Sequence, residues 1–201
     1  MSTGDRELAE QEIRQRAKLA LRKQMRGVRA ALPASACDAR SAGVTEHLLG
    51  IDEYARASVV LAFASIRNEV RTQPLINAAL AAGKRVALPR VVDEGLELRE
   101  IDRSTVLIEG AFGVPEPPST APRIESKEVE LVCVPALAVD PRGYRIGYGG
   151  GYYDRLLPEL TAACACTLAY DFQLIAEVPE LPFDVRVDLV VTDARVIRVG
   201  A

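Results

Sequence analysis

Apolar residues near the start of the chain recur at spacings of three and four. Ile13, Ala17, Leu21, Met25, Val28 and Leu32 fall on one stripe, which predicts an amphipathic helix over about 7–32. Arg14, Lys18, Arg22 and Arg29 form a second line, one position and about 100° further round. The pattern therefore predicts a helix that packs its apolar stripe and runs a basic line along the edge of that contact. Pro33 and Ser35 end it and start a shorter helix, about 36–49. Beyond residue 50 the pattern alternates. Ser58–Phe63 is a short apolar run rich in β-formers and reads as a buried strand. Thr72-Gln73-Pro74 reads as a helix start, with Thr72 as N-cap, and Gly83 as its stop. Further strands are predicted at Arg85–Pro89, Leu96–Ile101, Leu131–Val134, Thr167–Tyr170, Asp188–Thr192 and Val196–Val199, with a helix over about 151–160. Residues 109–123, with Gly110, Gly113 and four prolines, read as a stiff loop. Repeated strand–helix–strand order predicts a three-layer α/β/α sandwich with a mainly parallel central sheet, as a single domain over 1–201. In such sheets ligands gather at the carboxyl ends of the strands, where the loop after Val134 lies.

Composition narrows the class. The 201 residues carry 25 basic and 28 acidic groups, with 49% hydrophobic and 26% charged residues, as in an ordinary globular protein. No stretch reaches the roughly 20 apolar residues of a membrane-spanning helix. The first residues include Asp5, Glu7, Glu10 and Glu12 and no apolar run, which suits a cytoplasmic protein. Cys37, Cys133, Cys164 and Cys166 contain no C-x-x-C pair and read as buried, reduced thiols, the last two on one strand face. His47, the one histidine, reads as a surface or helix-face residue. Residues 14–29 hold seven basic groups and no acid, a run that suits nucleic acid, a membrane surface or a phosphate-bearing ligand. Against nucleic acid stand the acidity of the rest and an aromatic content of 5%, which leaves few stacking platforms. A monomer is expected, since no exposed heptad demands a partner.

The densest chemistry lies in Asp140–Arg155. Glycines 143, 147, 149, 150 and 151 fall within nine residues, directly before a predicted helix. Such a loop either simply reverses the chain or turns backbone N–H groups toward one anion, helped by the helix N-terminus. Arg142, Arg145 and Arg155 add full positive charges, which describes a phosphate cradle. It is neither a P-loop, lacking Gly-Lys-Ser/Thr, nor the dinucleotide fingerprint, because Tyr152 breaks the spacing. Asp154 suits helix-dipole compensation or, beside bound phosphates, a magnesium contact.

Val134-Pro135, Leu137-Ala138, Arg142-Gly143-Tyr144-Arg145 and Gly147-Tyr148-Gly149-Gly150-Gly151-Tyr152-Tyr153-Asp154-Arg155 together resemble the signature of the 5-formyltetrahydrofolate cyclo-ligase family. Lys18-x-x-x-Arg22, Asn68-Glu69-Val70-x-Thr72, Gly113-x-x-Glu116-Pro117, Gln173, Leu181-Pro182, Asp184 and Asp188 with Val191-Thr192 resemble other family segments in order, so the resemblance spans about 15–199. Two positions depart from it. Arg71 stands where an acidic residue is usual, and Phe183 where a histidine is common.

The resemblance implies ATP-dependent closure of 5-formyltetrahydrofolate to 5,10-methenyltetrahydrofolate, with ADP and phosphate released and magnesium required. It implies an ATP site built from Lys18, Arg22, Arg145, Gly147, Tyr148, Gly149, Gly150, Gly151, Tyr152 and Tyr153, with the helix over 1–32 contributing to it. It implies substrate contacts from Glu69, Glu116 and Tyr152, a catalytic part for Arg145 and Tyr152, and metal contacts from Asp154 and Asp188. Read without it, Lys18 and Arg22 are a solvated basic face, Glu69 is a loop acid, the tyrosines are core and Asp188 caps a strand end. Another ATP-using or sugar-phosphate enzyme on the same scaffold, and an RNA-binding module using the basic helix, are the competing functions.

Overall fold

In the computed structural model, residues 3–93 and 95–200 are described. Five strands form a parallel core, β1 (Val59–Leu61), β2 (Arg85–Val92), β7 (Leu131–Pro135), β10 (Cys164–Leu168) and β11 (Leu189–Val191). Antiparallel strands extend both edges, namely β3 (Gly95–Ile101) and β6 (Arg123–Ile124) beyond β2, and β12 (Val196–Arg198) beyond β11. The order across the sheet is β12-β11-β10-β7-β1-β2-β3-β6. The β2–β3 pairing is an antiparallel hairpin, as suits two strands with no helix between them. Two two-stranded ribbons stand apart from the sheet, β4 (Ile108–Glu109) with β5 (Pro115–Glu116), and β8 (Ala138–Val139) with β9 (Arg145–Ile146).

Alternation along the strands divides the core into two layers. Val60, Val86, Leu88, Leu131, Cys133, Cys166, Leu189 and Val191 face helices α2 (Ala34–Leu49), α3 (Asp52–Arg56) and α4 (Gln73–Ala81), which contribute Val44, Leu48, Tyr54, Leu75 and Ile76. Leu61, Ala87, Val132, Val134, Ala165 and Val190 face the other way. They meet Leu156, Leu157 and Leu160 from α5 (Tyr152–Leu156) and the 3-10 turn that continues it. The valines, leucines and isoleucine among these side chains supply roughly 1.5–3 kcal/mol each toward the fold, and the alanines less. All four cysteines are free. Cys164 and Cys166 pack on the same layer, and burial lifts their thiols, Cys164 to about 11.

Helix α1 (Thr3–Ala30) departs from the expected packing. Ile13 and Val28, assigned to the packed stripe, are exposed, whereas Lys18 and Arg29 from the basic line are 3% and 2% exposed. The buried line runs Lys18, Met25, Arg29, with Leu21 and Arg22 half-buried beside it, and is rotated toward the cations. The cause is what the helix meets. Among the described residues, Met25 and Leu21 join a small third apolar cluster with Leu137, Ala138, Ile146 and Val178, while the cations find loop carbonyls and carboxylates.

Other boundaries moved for local reasons. Strand β10 begins three residues earlier than expected, in register with Leu131–Pro135. The stiff loop of 109–123 contains the β4–β5 ribbon, a 3-10 turn at Ala111–Gly113 and the start of β6. Thr72 precedes α4 as expected, but its hydroxyl donates to the Phe63 carbonyl and meets Ser65 Oγ at 2.8 Å, so it ties down the segment after β1 and does not cap the helix. His47 is half-buried on α2, its Nδ1 2.7 Å from the Thr192 carbonyl. No helix among the described residues is long and apolar enough to cross a membrane.

Candidate active site

The segments leaving the carboxyl ends of β1, β7 and β10 converge beneath α1. After β1 the chain turns through Arg67 and Asn68, both at positive φ, and delivers Glu69. After β7 it continues through Ala136 into the β8–β9 ribbon and then the glycine loop. After β10, Tyr170 donates from its hydroxyl to the Glu69 carbonyl at 2.9 Å, and Gln173 donates to the Ala136 and Leu137 carbonyls, each at 2.9 Å. Three strand ends are thus held together by two side chains.

Glu69 is 5% exposed. Its Oε2 accepts from the Ile66 N–H at 3.0 Å, and its Oε1 lies 3.8 Å from the Arg29 guanidinium. Burial pushes its carboxyl above the ordinary range, while the Ile66 N–H, Arg29, Tyr148 and Arg67 pull the other way. Arg29 donates to the Arg67 carbonyl at 3.1 Å, to the Ala136 carbonyl at 3.4 Å and to the Tyr148 hydroxyl. Arg26, Arg29 and Arg67 surround the Tyr148 ring at 5.0, 5.5 and 5.8 Å.

The glycine loop forms the adjoining wall. Gly151 precedes α5 at φ 66°, a conformation that costs a side-chain-bearing residue about 1 kcal/mol or more. Arg22 donates to the Gly147 carbonyl at 3.0 Å, and Arg155 to the Gly150 carbonyl at 3.0 Å. Arg145, 7% exposed, pairs with Asp154 at 2.9 Å and donates to the Val185 carbonyl. Desolvation lowers the Arg145 guanidinium from its usual value, and the charges of Asp154 and Asp184 oppose that. Lys18 is bonded to Asp184, whose other contact is the Leu181 N–H at 2.7 Å. Tyr153 presents a buried hydroxyl with no partner among the described residues, and burial together with Glu69 raises it well above the phenol range. An unpaired buried donor beside cations and a glycine loop is what a site for a polar ligand leaves behind.

The structure brings together Lys18, Arg22, Glu69, Arg145, Tyr148, Tyr153 and Asp154, with Tyr152 at the rim. Tyr152 lies under Arg155 at 5.0 Å and 6.3 Å from the ring of Phe112, a tilted pair. Two expected members stand elsewhere. Asp188 precedes β11 at the amino end of the parallel strands, and its carboxylate accepts the Ala165 N–H at 2.8 Å. That is a strand-end cap, and among the described residues no contact joins it to Asp154. Glu116, 3% exposed, is turned into its own ribbon. It accepts the Ala111 N–H at 3.2 Å and packs so tightly on Gly110 that a Cβ there would come within 2.1 Å of it. Arg142, counted with the cradle, is instead tied to Asp140 and Glu180. Arg71 pairs with Asp38 of α2. Sequence reasoning gave no task to Arg29, Asp184 or Phe112. The signal for Arg29 was its place on the basic line, four residues beyond Met25.

For a divalent cation, the donors present are limited. Asp154 Oδ1 already accepts from Arg145 and from the Val185 N–H at 3.2 Å, and the side chain is 28% exposed beside the glycine loop. Among the described residues no three His, Cys, Asp or Glu side chains form a cage. A single carboxylate fits magnesium that arrives with phosphate oxygens and waters.

An α/β sheet with a basic helix lying across its strand ends and a glycine loop beside it frames this site. The chain belongs to the 5-formyltetrahydrofolate cyclo-ligase family, whose sequence model matches residues 14–193. It is similar to the 5-formyltetrahydrofolate cyclo-ligase of Mycolicibacterium smegmatis, 34% identical over 143 residues, covering 68% of this chain and 74% of that one. The Haemophilus influenzae cyclo-ligase is 28% identical over 171 residues, covering 82% and 91%. Among solved structures, the 5,10-methenyltetrahydrofolate synthetase of Aquifex aeolicus superposes with a TM-score of 0.81 at 32% identity, covering 92% of this chain and 93% of that one.

Proposed function

We propose that the protein closes 5-formyltetrahydrofolate to 5,10-methenyltetrahydrofolate at the expense of ATP, within one domain to which α1 supplies half of the nucleotide site. The observation that carries this reading is the meeting of Lys18, Arg22 and Arg145 around Gly147–Gly151, directly beside the buried Glu69. Cations on one side suit a triphosphate, and a carboxylate on the other suits the N–H groups of a pterin ring.

In this reading ATP transfers its γ-phosphoryl group to the formyl oxygen and leaves as ADP. The product is an iminium phosphate, in which oxygen has become a good leaving group. N10 attacks the activated carbon and loses its proton, and the C–O bond breaks to release phosphate. The chain contributes positioning and charge neutralisation, as is usual for phosphoryl transfer. Arg145 and the loop amides from Gly147 to Gly151 hold the phosphates; Lys18 exchanges Asp184 for phosphate oxygen, and Arg22 flanks the loop. Asp154 would hold magnesium, which supplies further neutralisation of the transferring group. Tyr148, Tyr152 and Tyr153 line the junction of nucleotide and folate, the Tyr153 hydroxyl being free to donate. Glu69 orients the pterin, and Glu116 acts by stiffening the ribbon that carries Phe112.

The test is direct. Protein mixed with 5-formyltetrahydrofolate and magnesium ATP is followed by near-ultraviolet absorbance of the methenyl product, with ATP omitted as control. ATP-dependent growth of that band is expected. Folded protein that binds ATP and forms no product overturns the reading.

A further inference from the structure

We infer that Arg29 is a positioning residue, which fixes the direction and charge of the Glu69 carboxylate from the buried underside of α1. Among the largest side chains removed from water, Arg29 carries the formal charge. Burying a guanidinium is unfavourable before its partners are counted. A helix that needed only to dock could place an apolar residue there, as it does with Met25 one turn earlier.

What Arg29 touches explains the charge. Its Nε donates to the Arg67 carbonyl, two residues before Glu69, while the Asn68 amide donates back to the Arg29 carbonyl at 3.2 Å and the Leu32 carbonyl at 3.3 Å. The end of α1 and the turn that delivers Glu69 therefore clasp each other reciprocally. Arg67 and Asn68 lie at φ 48° and 59°, so this turn is held in a form its residues do not favour alone. The remaining Arg29 donors reach the Ala136 carbonyl and the Tyr148 hydroxyl, which ties the β7 end and the glycine loop to the same point.

The groups facing Glu69 are Arg29 from α1, Arg67 and the Ile66 N–H from its own turn, Tyr148 from the glycine loop and Tyr153 from α5. Of the two cations, Arg67 is exposed and Arg29 is buried, so water screens the first and not the second. Arg29 thus sets both the charge and the aim of the carboxylate. The catalytic consequence rests on the folate reading of Glu69; the structural coupling does not.

Glutamate carboxyls labelled with 13C, with the Glu69 resonance assigned by its loss in Glu69→Gln, allow Glu69 to be titrated in the free protein. In Arg29→Met its midpoint is expected to rise by about one pH unit or more, as when an adjacent opposite charge is removed. The acid limb of kcat/KM for 5-formyltetrahydrofolate rises with it, while KM for ATP stays within about twofold. Arg29→Lys, which keeps a charge and loses the fork, gives a smaller midpoint rise with a raised folate KM. An unmoved Glu69 midpoint in folded Arg29→Met overturns the inference. Should that variant not fold, Arg29→Lys with wild-type midpoint and folate KM overturns it equally. A midpoint that moves while folate kinetics do not upholds the coupling and overturns instead the folate role of Glu69.

Discussion

Lys18 and Arg29 lie about three turns apart on the buried line of α1, each beside a buried carboxylate. At Lys18 the ammonium bonds directly to Asp184, which also accepts the Leu181 N–H, so both charges are satisfied locally. At Arg29 the nearest carboxylate oxygen is 3.8 Å away, and the guanidinium gives its hydrogen bonds to two carbonyls and a tyrosine. The first arrangement is a closed latch, which in the function proposed above a phosphate opens by substituting for Asp184. The second is an aimed acceptor, with the cation near enough to stabilise the charge without a direct hydrogen bond to it. Equal burial and equal formal charge therefore do different work, and the partner geometry decides which.

The sharpest way to break this comparison is to remove the latch. Lys18→Met leaves Asp184 buried and unpaired, so a loss of about 3 kcal/mol in denaturant unfolding is expected, with a higher KM for ATP. Adding Asp184→Leu is expected to restore much of the stability and none of the ATP affinity. Recovery of both would reduce the pair to a purely structural role. Next in size, Glu69→Gln is expected to lower kcat/KM for 5-formyltetrahydrofolate by about 100-fold, the scale of one charged hydrogen bond lost. KM for ATP should change far less, and equal losses for both substrates would erase the distinction between the pairs.

The smallest effect is one of pH. The Glu69 carboxyl is raised above its ordinary 4.5 in the folded protein. Its contribution to stability is thus fully present below that value and is lost as pH rises through the raised folded value. Each unit of elevation is worth about 1.4 kcal/mol. Relative to Glu69→Gln, which has no such titration, the native protein should lose stability over that window. A constant difference between the two unfolding curves from acid to neutral pH would contradict it.

Much of this fold was legible because it rests on short-range pattern. The apolar runs of β1 and β7, the turn chemistry around α4 and the glycine loop before α5 all declare themselves within a few residues. The β4–β5 and β8–β9 ribbons did not, because two-residue strands are too short to show a period. The packed face of α1 was misread for the opposite reason. Its pattern is clear, but the partners that draw Lys18 and Arg29 inward sit far along the chain. The resemblance implied metal contacts from both Asp154 and Asp188, and only the topology separates them, one beside the glycine loop and the other at the start of β11. Arg29 was visible as a charge and invisible as a contact.

The bond between Lys18 and Asp184 spans 166 residues. On the ribosome α1 is made 166 residues before the carboxylate that receives its lysine. Lys18 therefore stays unpaired with it until that carboxylate is made, although Arg29 can already meet Arg67 and Ala136. Closing so long a loop is the slow kind of contact to form. In the function proposed above, the Lys18 end of the nucleotide site is completed only by this long-range meeting, so a product truncated before Asp184 lacks it even with β1, β2, β7 and β10 already made.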